Sequence, residues 1–439
     1  EAELESQAET EDDPSDDKIT VPEHERKKRG KRGKIPDHLP REVVIVDLEN
    51  KICSNDGTEL VCIGEDVSER LEIIPAKIKV IKTITKKYAC KICEIISTGT
   101  APLEMIPKSL ASASLLSYIA VSKYADALPL YRQEAIFNRV GIELHRQTMA
   151  RWMITVGEKI DPLITLLREE LLKENYIHMD ETTVQVLNEE GKKAQSKSYM
   201  WVQARSGPKP IILFHYAKNR SAQHSELLLE DFSGYLHVYG YDGYAPVCEK
   251  NHITRLGCWA HARRKFFDAF KSSQGNVIGK QGLVFIKKIY EIEDKIRGLS
   301  SLEKFERRQN ESLKIAEEFK EWVDEKILKT TPKSIGGNAL GYVRNEWKYL
   351  LACFSSGEVE IDNNFIESHI RPFTIGRKNW MFSATPEGAS ASANIYSLVE
   401  TAKANGLEPF EYLNKVFKKL PIAQTEQDFL ELLPVKIES

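Results

Sequence analysis

Residues 234–244 read GYLHVYGYDGY, a short strand that breaks at glycine with one carboxylate, Asp242, just past the break. Three strand signals lie upstream: 176-YIHMDETTVQVL-187, 198-SYMWVQARS-206 and 210-PIILFHYA-217. One lies downstream, 253-ITRLGCWA-260. Between the third and fourth, 221-SAQHSELLLEDF-232 reads as a helix with a serine cap.

The order carries the fold class. Three strands, a helix, a strand, a short helical link, another strand and then helices is the succession of an α/β ribonuclease-H-like core. Such a core is a mixed sheet with helices on its faces. The long helical block at 276–355 reads as an insertion into it.

The chain has 439 residues, too many for one ordinary core, and several domains are expected. With 41% hydrophobic and 29% charged residues it reads as soluble and globular. Apolar runs such as 210-PIILF-214 are too short for a membrane span. The start, EAELESQAETEDDPSDD, lacks the basic and apolar regions of a secretory signal, so a cytoplasmic location is expected. Residues 1–17 carry nine acids and no base, whereas 26-RKKRGKRGK-34 carries seven bases. This reads as a solvated leader and, compatibly with that, as an arm that neutralises phosphates. The expected organisation is a leader at 1–40, a zinc-binding β module at 41–105 and a helix-turn-helix domain at 106–175. The core follows at 176–275, with the insertion at 276–355, the C-terminal core helices at 356–421 and a tail at 422–439.

Seven cysteines in an intracellular chain argue against a disulfide framework. Cys90 and Cys93 form a CxxC, and 53-CSND-56 has the same spacing with Asp56 in the second seat. Cys53, Asp56, Cys90 and Cys93 are therefore candidate Zn2+ ligands, with Cys62 a substitute fourth; a knuckle without metal is the alternative. The pair 258-CWAH-261 has half of a zinc spacing but no evident partner pair, and reads more simply as a strand end entering a helix.

In 131-YRQEAIFNRVGIELHRQTMARWM-153, Ile136, Phe137 and Val140 fall at helical spacing, and Gly141 allows a left-handed turn. Met149, Trp152 and Met153 line the buried side of a second helix. Arg146, Gln147 and Arg151 face outward, suited to phosphates and base edges. An ordinary helical hairpin is the alternative.

Asp180 is the first carboxylate of the first strand, and Glu367 lies in 361-IDNNFIESHIRP-372. Asp362 or Asn363 can cap that helix, with Pro372 following its end. Asn363, Glu367 and Arg371 share one face. Arg371, Arg377 and Lys378 form a basic patch beside Glu367, with Trp380 either stacking on bases or packing. Two Mg2+ (or Mn2+) ions held by three carboxylates would activate a water or a 3′-hydroxyl and stabilise the leaving oxygen.

From about residue 31 to 421 the chain resembles the transposases of bacterial insertion sequence sixty-six. The resemblance rests on 34-KIPDHLPREVVIVDL-48, 178-HMDETTVQVL-187, 196-SKSYMWV-202, 257-GCWAHARRKFF-267 and 376-GRKNWMFSATPEGASASANIYSLVETAKANGLEP-409. It implies a DDE-type transposase that binds the terminal inverted repeats and target as double-stranded DNA. It further implies a homo-oligomer on that DNA, small accessory proteins of the element and a nucleoid location in a bacterium. The N-terminal coiled coil usual in such enzymes is expected to be absent or truncated. In the family the opening strand ends in a pattern like GYL-x-x-D-G-Y-x-G-Y, whose Asp is the second catalytic acid. Gly234, Tyr235, Leu236, Gly240, Tyr241, Gly243 and Tyr244 match, and the catalytic Asp falls on Tyr239. A phenol with pKa near 10 offers a neutral oxygen where a bridging anion is wanted. Asp242 is the substitute carboxylate, but an offset of three along a strand, roughly 10 Å, points to the other face. A second departure is Glu367-Ser368, where the family has Glu-Arg. The rival to an active enzyme is a DNA-binding protein of transposase descent that does not cut.

Overall fold

The computed structural model describes residues 41–45, 78–89, 96–272 and 277–435, with positions 55, 58, 68 and 91. The chain divides into two units, Glu1–Ala101 and Pro102–Ser439. In the first, β1 (Lys87–Ala89) and β2 (Ile96–Thr98) form an antiparallel hairpin. The candidate zinc ligands Cys53, Asp56, Cys62, Cys90 and Cys93 lie outside the described residues.

The second unit opens with four helices, α1 (Ala113–Tyr124), α2 (Leu130–Arg139), α3 (Arg146–Lys159) and α4 (Asp161–Leu172). Ser112 caps α1 by accepting the Leu115 N–H. Gly141 takes φ +78° between α2 and α3, the left-handed turn expected there. Phe137, Met149, Trp152 and Met153 are buried as the spacing predicts. Val140, assigned to the same face, is 62% exposed. The helix ends at Arg139, so the chain leaves the apolar face one residue before Val140.

Five strands follow: β3 (Tyr176–Gln185), β4 (Lys197–Arg205), β5 (Ile211–Ala217), β6 (Tyr235–His237) and β7 (Thr254–Leu256). Their order in the sheet is β5-β4-β3-β6-β7. The first three pair antiparallel, whereas β6 runs parallel to β3 and β7 parallel to β6. Helices α5 (Ala222–Leu228) and α6 (Ala245–Lys250) make the crossovers. The sheet is therefore mixed, with helices packed on it.

The chain then leaves the end of β7 for α7 (Trp259–Ser272), α8 (Val277–Ile296), α9 (Ser301–Arg307), α10 (Leu313–Leu328) and α11 (Ile335–Ala352). These build a second core around Trp259, Phe266, Ile289, Phe319 and Val343, which joins α7, read as part of the core, to the block at 276–355 read as an insertion. It returns through α12 (Asn364–Trp380), α13 (Pro386–Ala404), α14 (Pro409–Lys419) and α15 (Glu426–Leu430). Helix α12 does not end at Pro372 as expected but runs through it to Met381 at φ +67°. The proline removes one backbone donor, yet Ile370, Phe373 and Gly376 on either side are buried and keep the helix in place.

Helix α13 explains one further departure. The helices read as a separate helix-turn-helix domain share one core with the sheet. The close contact is at Gly157 of α3, where an added Cβ would lie 2.4 Å from the Ala391 Cβ of α13. On its other side α13 covers the sheet edge. Ser397 Oγ accepts from the Phe214 N–H at 2.8 Å, and Thr401 Oγ1 accepts from Ile212 N–H and donates to Ile212 O, both at 3.0 Å. Two hydroxyls one turn apart thus satisfy backbone groups that an open edge would leave exposed. The segment read as a tail also packs: Leu432, Leu433 and Val435 are buried, and Tyr412 Oη donates to Leu432 O at 2.9 Å. No helix among the described residues is long and apolar enough to cross a membrane.

One imidazole with a covered Nε2 gives the fold a pH dependence. His215 on β5 has a buried Nε2 without a hydrogen-bond partner. Burial, then the charge of Arg168, lowers its pKa from 6.5 to about 3. The folded state thus binds fewer protons, so this stabilisation is complete above the unfolded value of 6.5 and is lost as pH falls toward 3. Between pH 7 and 5, His215→Phe is expected to lose about 2 kcal/mol less than the unaltered chain, read by urea unfolding. Equal losses would show that His215 does not titrate in this way.

Candidate active site

Strands β3 and β6 pair in parallel with His178 beside His237. Two residues further along come Asp180, still in β3, and Tyr239, just past the end of β6, close enough for the charge of Asp180 to act on the phenol. The first turn of α12 brings Glu367 to the same place. Tyr239 Oη donates to Glu367 Oε1 at 2.8 Å. Its ring lies against His261, with centroids 4.0 Å apart. Arg264 donates to the other carboxylate oxygen, Glu367 Oε2, at 3.2 Å.

The electrostatics follow from this crowding. Asp180 is 8% exposed, and its Oδ1 accepts the Glu181 N–H at 2.8 Å. Burial, then the charge of Glu181 and more weakly that of Glu367, pushes its carboxyl well above the usual range. Burial and the charges of Asp180 and Glu367 push the Tyr239 phenol far above 10, so it stays neutral and donates.

One buried amide holds the elements together. Asn363, 0% exposed, precedes α12. Its Nδ2 donates to Met179 O on β3 and His237 O on β6, both at 3.3 Å. His178 Nδ1 donates to Asn363 Oδ1 at 2.7 Å, which leaves His178 Nε2 to accept from Ser206 Oγ at 3.3 Å. Burial lowers the His178 pKa to about 4, so the ring is neutral. The sequence places Asn363 on the face of Glu367 and offers no sign of these partners.

Asp242 is placed elsewhere, in a short turn at Asp242–Tyr244 after β6. Its charge acts on Glu346. Among the described residues, Asp180, Asp242 and Glu367 do not bring three donor atoms within ligand reach of one another. Glu181, unmarked by any sequence signal, has a buried side chain that pairs with the partly exposed Arg220 and accepts from Tyr244 Oη at 2.5 Å. Cys258, His261 and Glu367, by contrast, do bring three donor atoms together, all within 4.8 Å.

The basic residues divide. Arg146, Gln147 and Arg151 are exposed at the start of α3, as are Arg371 and Lys378 on α12. Arg377 donates to Thr182 Oγ1 at 2.9 Å and to Thr183 O, tying α12 to β3. With Lys378, Lys197, Gln185 and Met381 it lines an open groove of about 430 Å3. Trp380 packs edge-on against Phe373.

A family model described as "Transposase IS66 family" matches residues 108–391. The chain belongs to this family. A model of the zinc-finger binding domain of transposase IS66 matches residues 50–94, and one of the IS66 C-terminal element matches 397–435. The latter covers the packed C-terminal segment. A fourth, described as "Transposase C of IS166 homeodomain", matches 1–44, over the charged leader. Two relatives from Sinorhizobium fredii bear the name "Uncharacterized protein". One, y4qI, is 34% identical over 86% of this chain and 72% of its own length. The other, y4jD, is 32% identical over 91% of this chain and 81% of its own length. Membership of the IS66 family makes the chain a transposase by descent with DNA as its partner, and implies zinc at the N-terminal module and a divalent metal at the acidic centre. The residues at that centre meet the second implication only in part. Asp180 and Glu367 offer hard carboxylate oxygens, but the group beside them is the neutral phenol of Tyr239, already bonded to Glu367. This donor set does not fit a two-cation centre.

Proposed function

We propose that this IS66-family chain binds the ends of its element through a DDE-type architecture with a ribonuclease-H-like core, and that Tyr239 holds its strand-cleavage step down. The observation that carries this reading is the 2.8 Å hydrogen bond from Tyr239 Oη to Glu367 Oε1. It puts a phenol where Asp180 and Glu367 would otherwise share a third anion. Without that anion, the charge that builds on the phosphoryl oxygens during cleavage and transfer is left unbalanced. Asp242 does not supply it from its turn beside Glu346.

DNA contact falls to Arg146, Gln147 and Arg151 on α3, and to Arg371 and Lys378 on α12. Arg377 contributes through the groove it lines, while holding α12 on β3. Zn2+ in the N-terminal module falls to Cys53, Asp56, Cys90 and Cys93. The working form is a homo-oligomer on double-stranded DNA, in the bacterial nucleoid, with any small accessory proteins of the element alongside.

The test is a binding and cleavage assay on duplexes carrying the element's terminal inverted repeats. The full chain is expected to prefer end duplex over scrambled duplex and to show little Mg2+- or Mn2+-dependent nicking. Arg146→Ala with Arg151→Ala is expected to weaken binding and to flatten its logarithmic salt slope by about 2. Equal binding of end and scrambled duplex, with an unchanged slope in the double variant, would defeat the reading.

A further inference from the structure

The acidic centre is shared with a second donor set. Cys258 ends the link from β7, and His261 lies three residues on in the first turn of α7. His261 Nδ1 is 3.4 Å from Cys258 Sγ and 3.5 Å from Glu367 Oε1. Around a tetrahedral Zn2+, with Zn–S about 2.3 Å and Zn–N and Zn–O about 2.0–2.1 Å, donors sit roughly 3.3–3.6 Å apart. The two separations from His261 are already those of ligands around one ion, and all three donor atoms lie within 4.8 Å of one another.

The surroundings suit a metal thiolate. The Asn363 N–H donates to Cys258 Sγ at 3.3 Å, and Arg264 holds the outer oxygen of Glu367. An outer partner that orients a ligating carboxylate is a recurring feature of metal sites. Cys258 is fully buried, whereas the side chains of His261 and Glu367 keep about a fifth of their surface exposed. Three protein donors leave a fourth position for an exchangeable ligand, while Glu367 Oε1 also holds the Tyr239 hydroxyl at 2.8 Å.

We propose that Cys258 Sγ, His261 Nδ1 and Glu367 Oε1 form a Zn2+ site with an open fourth position, separate from the N-terminal zinc module. On binding, the Cys258 thiol proton passes to solvent. Because Glu367 serves both sets, zinc held here withdraws it from Asp180. The proposal does not rest on the strand-cleavage reading, since metal binding is measured without DNA.

The experiment uses the full chain, stripped of metal and titrated with Zn2+ or Co2+. Bound metal is counted, and the thiolate-to-cobalt absorption is recorded. The unaltered chain is expected to bind one more equivalent than either Cys258→Ser or His261→Gln. The affinity lost in each should exceed the roughly 10–100-fold that removal of an outer partner costs. In a chain carrying Cys90→Ser and Cys93→Ser, the remaining Co2+ spectrum should vanish on adding Cys258→Ser. Should Cys258→Ser unfold, His261→Gln at its partly exposed position carries the comparison, with helical circular dichroism as the check on folding. An equal metal count in the unaltered chain and a folded His261→Gln would overturn the proposal. Loss of N-terminal zinc alone leaves that difference intact, so the two sites fail separately.

Discussion

Tyr239→Asp is expected to raise Mg2+- or Mn2+-dependent cleavage of end DNA by about a hundredfold or more. That is the scale on which a single group balancing transition-state charge is felt. The substitution acts twice. It removes the hydroxyl bonded to Glu367 Oε1, and it places an anion beside Asp180. The second change costs stability in the metal-free chain, because two neighbouring carboxylates repel each other at a buried site. A divalent cation should restore that stability. Tyr239→Asp is therefore also expected to gain thermal stability on adding Mg2+, by more than the unaltered chain does. Tyr239→Phe separates the effects, since it frees Glu367 without adding an anion; its cleavage should stay low. Robust nicking by the unaltered chain, abolished by Asp242→Ala, would instead make Asp242 the third ligand and remove Tyr239 from the account.

The strands of the core are legible because their burial is local. Residues 210–217 are apolar almost throughout, 198–206 carry an apolar run from Tyr199 to Val202, and β4 is buried nearly end to end. The turn at Gly141 and the inward face of α3 are legible for the same reason, as each depends on residues within a turn or two. What escapes local reading is set by distant partners. Pro372 looks like a stop because the sequence does not show that the residues flanking it are buried. Helices α1–α4 look like a free domain because the Gly157 contact is with Ala391, far along the chain. The last residues look like a tail because Leu432, Leu433 and Val435 are too few to show a period, yet they complete the core against α14. The site divides in the same way. Tyr239 stands out only against a family pattern. Cys258 and His261 announce half of a ligand set, and their third member comes from a helix beyond the whole insertion.

Asn363 is the sharpest case, and its substitution is expected to have the largest effect on stability. Asn363→Leu keeps the branched heavy-atom skeleton, in a somewhat larger side chain, and removes three side-chain hydrogen bonds at once. It leaves Met179 O, His237 O and the His178 Nδ1–H without their partner in a place where Asn363 itself is fully covered. Each orphaned buried group costs about 1–3 kcal/mol, and the three are coupled through one side chain, so the total should be on the order of 3–5 kcal/mol rather than their sum. Urea unfolding reads this directly. A structural role alone would stop there, but the geometry asks for more, because these bonds fix the approach of α12 to β3 and β6. In the Tyr239→Asp background, Asn363→Ala should therefore lower cleavage at least tenfold with end-DNA binding unchanged, since misplacing Glu367 by an ångström is enough to cost that much. If cleavage and binding fell together, or if Asn363→Leu unfolded within about 1 kcal/mol of the unaltered chain, Glu367 would have to be positioned by other groups, with Arg264 and His261 the first to consider.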